Sequence, residues 1–472
     1  MGEHIHTDLL VIGAGSGGLS VAAGAVQMGA RVVLLEGGRM GGDCLNRGCV
    51  PSKALIAAGK HAHAFGTGTP FGVSRAKPRV DFARASAHVR SVIETIAPHD
   101  SQERFEALGV RVIREFGRFI AHDTVDAGPW RITARRIVIA TGSSPMVPPV
   151  PGLEAVPYLT NESVFDLEQR PDNLLVIGGG PIGLELAQAH HRLGARVTVL
   201  EAARALGRED PEIAALALAR LRDEGIDIRE GAKVTAISGE PGAITAQLEG
   251  GETVTGSHLL VAVGRKPSIA ALDLERAGIA HDRGGVIVDA GLRTSNKRVF
   301  AVGDVISGGL QFTHVAGYHA GIVIRRALFG LPARARTDHL PRATYIDPEI
   351  AQVGLTEEEA RRRHGVHLEV LRAEFAGNDR AQAERLTTGF IKVLAVKGRP
   401  VGASIVGAQA GELIQVWSLA IANRLKLSAF ANMVAPYPTL GELSKRAAGQ
   451  YFAPRLFESE RVKRIVRFVQ RF

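Results

Sequence analysis

The only two cysteines of this 472-residue chain, Cys44 and Cys49, stand in Gly41-Gly42-Asp43-Cys44-Leu45-Asn46-Arg47-Gly48-Cys49-Val50-Pro51-Ser52-Lys53. A chain of this length that keeps both thiols at one spot points to chemistry there. An i, i+5 pair at the start of a helix can bring its sulfurs within disulfide reach. The positive end of the helix favours the thiolate, the reactive form. The two bland uses are a metal clip and a stapling bridge. Two ligands are too few for a closed zinc site, and a bridge over so short a loop constrains little of the unfolded chain. The pattern is read as a redox-active pair.

Such a pair needs a rigid frame, and one lies directly upstream. Asp8–Ile12 reads as a buried strand, Gly13-Ala14-Gly15-Ser16-Gly17-Gly18 as a turn, Leu19–Met28 as a helix and Ala30–Glu36 as a second strand. Gly13, Gly15 and Gly18 fill the G-x-G-x-x-G places of a dinucleotide-binding βαβ module. The pattern recurs in Asn173–Ile177, Gly178-Gly179-Gly180-Pro181-Ile182-Gly183, a helix and Ala195–Glu201. Gly13/Gly178, Gly15/Gly180, Gly18/Gly183 and Glu36/Glu201 are separated by one common interval. One such glycine motif arises by chance about once in a chain this rich in glycine, but two matched copies with equally placed carboxylates do not. In each, the first glycine makes the tight turn, the second lets amides approach a pyrophosphate, and the third packs helix on strand. The carboxylate accepts from a ribose diol.

Between the copies, Val80–Leu108 reads as a long helical stretch and Arg136–Gly142 as a buried strand ending in glycine. Pro145, Pro148, Pro149 and Pro151 form a stiff crossover. Leu259–Arg265 is a second strand of that kind, Val299–Asp304 closes the first sheet, and from about Thr337 strand and helix patterns alternate without phosphate loops. Hydrophobic residues make up 45% of the chain, enough for full cores in about three domains. No apolar run reaches the length of a membrane span. Met1 to Asp8 lacks a basic region followed by an apolar stretch, so no signal peptide is expected. A cytoplasmic location follows as the default, and it suits a reducible thiol pair. The net charge of +9 fits binding of nucleotide phosphates. With no aromatic-basic interleaving or known module, no nucleic-acid partner is expected. His61, His63, His190, His191 and His314 form no metal-spaced set, so no metal site is expected.

Together Gly13–Gly18, Cys44–Lys53, Ala140-Thr141-Gly142, Gly178–Glu185, Ala262-Val263-Gly264-Arg265 and Val302-Gly303-Asp304 resemble the class I pyridine nucleotide–disulfide oxidoreductases. That family includes dihydrolipoamide dehydrogenase, glutathione reductase and mercuric reductase, and the resemblance spans about 8 to 450. It implies an α/β fold: two Rossmann-like FAD and NAD(P) binding domains, one inserted in the other, plus a C-terminal α/β dimerisation domain. The expected boundaries are 1–150 and 271–336 for the FAD-binding part, 151–270 for NAD(P), 337–452 for dimerisation and 453–472 for a tail. Glu36 would hold the adenosine half of FAD, Asp304 the ribitol, and Lys53 the N5 edge with Glu185 paired to it. Gly42, Thr141, Gly142, Gly264 and Arg265 fall along the cofactors. Cys49 would be the charge-transfer thiol and Cys44 the interchange thiol. Glu201 and Gly183 favour NADH; Arg204 and Arg208, just beyond, leave NADPH open. The implied activity is FAD-dependent NAD(P)H oxidation through the disulfide to a thiol/disulfide, metal-ion or other acceptor, in a homodimer serving cell redox homeostasis.

One position departs from the disulfide-reducing members, whose C-terminal histidine, followed by Pro-Thr and a nearby glutamate, is the general acid/base. Here the segment reads Ala435-Pro436-Tyr437-Pro438-Thr439-Leu440-Gly441-Glu442. Glu442 keeps the glutamate place, and Tyr437 stands at the histidine. A phenol titrates near 10, so proton transfer to a leaving thiolate would suffer by roughly 10²–10⁴-fold. Mercuric reductases also carry tyrosine there, and Arg208-Glu209-Asp210-Pro211, Asp379-Arg380-Ala381 and Gly389-Phe390-Ile391-Lys392 are similar to theirs. They need a C-terminal cysteine pair to deliver mercury, and none occurs here. The resemblance therefore favours an acceptor that needs little proton transfer: a metal ion, a quinone, dioxygen or a reactive electrophile. A packing role for Tyr437, its hydroxyl on Glu442, is the bland alternative. The tail interleaves Arg455, Arg461, Lys463, Arg464, Arg467 and Arg471 with Phe457, Val462, Ile465, Val466, Phe468, Val469 and Phe472. It reads as a basic amphipathic helix, docked on its own dimer or touching a membrane peripherally. A membrane-associated NADH:quinone or diaphorase-type donor is the alternative function.

Overall fold

The strands that carry the two glycine motifs are apolar throughout because both faces of their sheets are covered. Val32–Leu35 is buried at every position, and Leu9 to Ile12 likewise. In the computed structural model, which describes residues 3–472, the chain forms two compact units. One holds the residues up to Ala202 together with Gly231–Ala335; the other holds Ala203–Glu230 and Arg336–Phe472.

The first unit is built on a seven-stranded sheet. Its order is Arg111–Ile113, Val32–Leu35, His4–Ile12, Trp130–Ile139, Thr124–Ala127 and Arg118–Ala121. The ten-residue strand Trp130–Ile139 has two neighbours along one edge. Its start pairs antiparallel with Thr124–Ala127, its end parallel with Val299–Ala301. The expected closing strand before Asp304 is thus in place. Helix Ser16–Gln27 lies on this sheet beside Thr313–Ala327; a Cβ on Gly24 would meet Ile324 Cδ1 at 2.4 Å, so the helices approach where the side chain is absent. The same unit carries the second module, with Asn173–Ile177 parallel to both Arg196–Glu201 and His258–Val261. A three-stranded antiparallel sheet of Val234–Glu240, Ala243–Leu248 and Thr253–Gly256 shares its core.

The stretch expected to be helical over Val80–Leu108 is so, in three consecutive pieces. Helix Phe82–Ile96 gives way to a single turn, Ala97–Asp100, and then to Gln102–Ala107. Pro98 cannot donate to the helix ladder. Ser101 starts the next helix by accepting from the Arg104 amide.

The second unit centres on a five-stranded antiparallel sheet. The order is Arg342–Thr344, Glu349–Gly354, Arg399–Gly407, Phe390–Val396 and Leu368–Glu374. Trp417, fully buried, stacks on Phe430 with centroids 4.0 Å apart and donates to Ser444 at 3.1 Å. Residues 203–230 group here, while their strand Asp227–Glu230 is the edge of the second module's four-stranded sheet, next to Arg196–Glu201. A buried charge ties their helix to the five-stranded sheet. Lys392, 5% exposed, meets Asp210 at 3.0 Å, Glu212 at 2.8 Å and Glu357 at 2.9 Å. Burial works to lower its ammonium, but these carboxylates together hold it above the usual lysine range. An ammonium taken out of water needs such partners, so helix Pro211–Asp223 is bound to this sheet.

Helix Pro181–Arg192 of the first unit hides one unpaired group. His190 is fully buried, neither ring nitrogen has a hydrogen-bond partner among the described residues, and the ring stacks on Phe82 at 5.8 Å. Burial, helped by nearby His258, pushes its imidazole down from 6.5 to about 4. The unfolded chain therefore binds this proton first as pH falls. The stability tied to the neutral ring is complete above about 6.5 and is lost as pH drops toward about 4. Equilibrium unfolding of His190→Leu against wild type is expected to show a flatter profile over that window, the difference reaching roughly 3 kcal/mol. Parallel profiles would refute it.

Candidate dinucleotide and dithiol site

Both glycine loops have the same geometry. A Cβ on Gly13 (φ +105) would strike Ala140 O at 2.5 Å; one on Gly178 (φ +114) would strike Ala262 O at 2.4 Å. A Cβ on Gly18 would sit 1.9 Å from Gly13 O, and one on Gly183 2.1 Å from Gly178 O. Gly15 and Gly180 are the helix N-caps, neither helix has a capping side chain or an acid in its first turn, and the first-turn amides face outward from backbone alone. The carboxylates match too. Glu36 accepts from the Ala14 and Gly38 amides, each at 2.7 Å, and Glu201 accepts from Gly179 at 2.7 Å. A dinucleotide fits each cradle: amides for its pyrophosphate, a fixed carboxylate for its ribose.

The thiol motif is built onto the first cradle. The Gly41 amide donates to Ala14 O at 3.0 Å, and a Cβ on Gly42 (φ +60) would approach Gly15 Cα to 2.6 Å. Two helices follow, Gly42–Arg47 and Cys49–Ala64, hinged at Gly48. Asn161 ties the first down through Asp43 at 3.2 Å and Arg47 O at 3.1 Å. Cys44 is half-buried and Cys49 exposed, and both are free thiols here. Cys49 Sγ lies 3.3 Å from Thr313 Oγ1. The hydrogen bond from Cys44, with help from Thr313 and the Lys53 charge, brings the Cys49 thiol down to about 6 against the cost of burial. Cys44 moves the opposite way, because its proton is the one shared with Cys49. Near neutral pH the reduced pair holds one negative charge on Cys49 and one proton on Cys44.

One turn along the same helix, Lys53 donates to Glu185 Oε2 at 2.7 Å. Glu185 is buried, on the helix that follows the second glycine loop. The pair thus joins the thiol helix to the second module.

A polar chain completes this unit. Arg265 bonds Asp43 at 3.2 Å and donates from Nε to Ser143 Oγ at 2.7 Å; Ser143 donates to Asp304 Oδ2 at 2.8 Å. Burial pushes the Asp304 carboxyl up, with the Ser143 bond and Arg265 opposing. Thr141 donates to Ser268 O at 2.8 Å, Gly142 (φ +65) turns the chain beside it, and the Met146 amide bonds Gly264 O at 2.9 Å. Thr313, Asn161, Ser143 and Asp43 escaped the sequence reading. Only Asp43 and Ser143 carried a signal, each adjoining a motif residue.

Tyr437 and Glu442 belong to the second unit. The Tyr437 side chain is 70% exposed, so it is no packing residue within the chain. Its hydroxyl donates to Asp379 Oδ2 at 3.0 Å rather than to Glu442, and that bond raises the phenol further above its ordinary 10. Glu442 opens helix Glu442–Phe457, and its buried Oε2 has no hydrogen-bond partner among the described residues.

Two nucleotide cradles, a cysteine pair beside the first and a lysine–glutamate link to the second define a flavin- and nicotinamide-dependent dithiol oxidoreductase. The chain belongs to the pyridine nucleotide-disulphide oxidoreductase family, whose profile matches residues 7–320, with that family's dimerisation domain over 340–448. It is similar to mercuric reductase of Bacillus cereus, 34% identical over 447 residues, 93% of this chain and 70% of that protein. It is similar also to dihydrolipoyl dehydrogenase of Geobacillus stearothermophilus, 33% identical over 456 residues, 94% of this chain and 96% of the other. Among solved structures, the Cu(II) complex of HOCl-induced flavoprotein disulfide reductase RclA from Escherichia coli superposes with TM-score 0.83 at 30% identity, covering 93% and 98% of the two chains. The protein is an FAD-dependent NAD(P)H oxidoreductase, and the dimerisation domain supports a homodimer.

In the reduced protein, ultraviolet thiolate absorbance is expected to rise with a midpoint near pH 6. Cys49→Ser removes that step. Cys44→Ala leaves one thiolate with a higher midpoint, since the hydrogen bond that most favours it is gone. Lys53→Met also raises the midpoint; well below it, each unit means about tenfold less thiolate. A step that survives Cys49→Ser unchanged would overturn the assignment.

Proposed function

We propose that this enzyme draws two electrons from NADH through FAD into the Cys44–Cys49 disulfide and delivers them to a thiophilic metal ion. The observation that carries the reading is the hydrogen bond from Tyr437 to Asp379. It fixes a protonated phenol where disulfide-reducing relatives keep a base. FAD, when bound, supplies the relay between nicotinamide and disulfide.

The roles follow from the residues. Glu36 and the Gly13–Gly18 loop hold the FAD adenosine and pyrophosphate; Asp304, kept in place by Ser143, takes the ribitol. The loop Gly178–Gly183 and Glu201 hold the nicotinamide nucleotide. Lys53, steadied by Glu185, sets a positive charge between the two. Cys49 carries the thiolate, and Cys44 meets the acceptor. Charging the pair consumes NADH and the disulfide, and yields NAD⁺, the Cys49 thiolate and the Cys44 thiol. To attack a disulfide substrate, Cys44 must lose its proton to a base, and a protonated phenol is a poor one. A thiophilic metal ion needs no base, because its binding displaces the thiol proton. Two electrons then pass to the metal, the sulfur–sulfur bond re-forms and the single proton of Cys44 leaves. The similarity to mercuric reductase, and to a reductase solved with Cu(II), supports this choice. A reducible thiol pair supports a cytoplasmic site of action.

Anaerobic stopped-flow mixing of NADH-reduced enzyme with Hg²⁺, Cu²⁺, a quinone and lipoamide tests it. Fast reoxidation by a metal ion with lipoamide inert is expected. Tyr437→His is expected to raise lipoamide turnover by up to about 10²–10⁴-fold and to leave metal turnover nearly unchanged. Wild-type lipoamide turnover equal to that with metal would sink the proposal.

The NADH preference rests on Glu201, whose carboxylate would repel a 2′-phosphate. Glu201→Ser is expected to shift the NADH-to-NADPH ratio of kcat/KM by roughly tenfold toward NADPH, the equivalent of about 1.4 kcal/mol. An unchanged ratio would remove Glu201 from the discrimination.

A further inference from the structure

The last helix of the chain, Glu460–Val469, keeps its apolar side bare. Val462, Ile465, Val466 and Val469 recur at i, i+3, i+4 and i+7, the stripe of a helix that buries one face. Yet Ile465 is 63% exposed, Phe468 and Val469 61% each, and Phe472 98%. Phe468 and Phe472 meet edge to face at 5.4 Å and extend the patch past the helix end. The helix holds itself without a docking surface. Ser459 caps it by accepting from the Val462 amide, and Glu460 pairs with Lys463 at 3.1 Å and Arg467 at 3.4 Å. Its other side carries Lys463, Arg464, Arg467 and Arg471 against the single carboxylate of Glu460. No helix among the described residues is long and apolar enough to cross a membrane, so the feature is one that lies on a surface.

We propose that this helix docks on an anionic lipid bilayer, its Phe, Ile and Val side chains entering the boundary between headgroups and acyl chains and its cations meeting the lipid charges. Charge decides between a bilayer and a second copy of the chain. The whole chain carries +9, so a basic helix set on another copy meets like charge. An anionic surface reverses that sign. Position agrees: the helix begins beyond residue 448, where the dimerisation-domain match ends. An apolar face with interfacial aromatics and a strongly basic opposite face is the composition of surface-lying helices. A homodimer presents two such helices, and their joint attachment exceeds that of either one.

Flotation of the full-length holoenzyme with vesicles of phosphatidylcholine containing about a third phosphatidylglycerol tests this, with pure phosphatidylcholine vesicles as control. Expected are co-flotation with the anionic vesicles, at least about tenfold less with the neutral ones, and release by high salt. The double variant Phe468→Glu/Val469→Glu is expected to stay at the bottom of the gradient, while its bound flavin, NADH oxidation and sedimentation coefficient match wild type. Absence of wild-type flotation, or equal flotation with both vesicle types, would overturn the proposal. So would dissociation of the dimer by the double variant, which would assign the face to a second copy.

Discussion

The site turns on the position of one ammonium group. Lys53 sits one helical turn beyond Cys49 and reaches Glu185, a buried carboxylate on the helix of the other glycine loop. The bond ties the dithiol to both dinucleotide cradles at once. Removing the lysine would leave a buried carboxylate without that partner, and breaking such a pair costs about 3–5 kcal/mol when both ends are deep. Lys53 is itself more exposed than Glu185, so water screens part of that cost. The larger consequence is electrostatic. The hydrogen bond from Cys44 does most to lower the Cys49 thiol, and the positive charge that pairs with Glu185 adds to it, so the geometry that joins the cradles also favours the thiolate at Cys49.

From that asymmetry the chemistry follows. A reduced pair with one proton and one negative charge is a good electron store and a poor proton donor. Whatever accepts its electrons must either bring a base or displace the proton. At the position of the family histidine stands Tyr437, a phenol that spends its proton on Asp379, and the buried oxygen of Glu442 has no hydrogen-bond partner among the described residues. In a histidine-bearing relative the two positions make one acid–base couple; here tyrosine turns to a different carboxylate and the couple is undone.

Much of this was legible in the residues, and the parts that were not share a physical cause. Strand Asn173–Ile177 was read to the residue, because a run of buried aliphatics before a glycine turn has little freedom. The paired cradles were legible because each glycine is forced by backbone contact, as Gly18 is by Gly13 O. The helical stretch over Val80–Leu108 was legible as a whole, and Pro98 and Ser101 mark where it divides. The partners that Asn161 and Asp379 take were hidden for another reason. Each acts across a long stretch of chain on a single atom, and no local spacing announces such a contact. The ion pair of Lys392 with Asp210 was hidden likewise, since the two are brought together only by the fold.

The Lys392 cluster shows the same kind of constraint within the second unit. Helix Pro211–Asp223 is held by Lys392 to Asp210 and Glu212, and the loop before it by Arg342 to Glu209 at 3.1 Å. Buried ion clusters of this kind add little net stability over apolar packing but tolerate few alternative arrangements. Within the first unit the Gly179 amide does the same for Glu201: a short backbone hydrogen bond at 2.7 Å fixes where the ribose-binding carboxylate points.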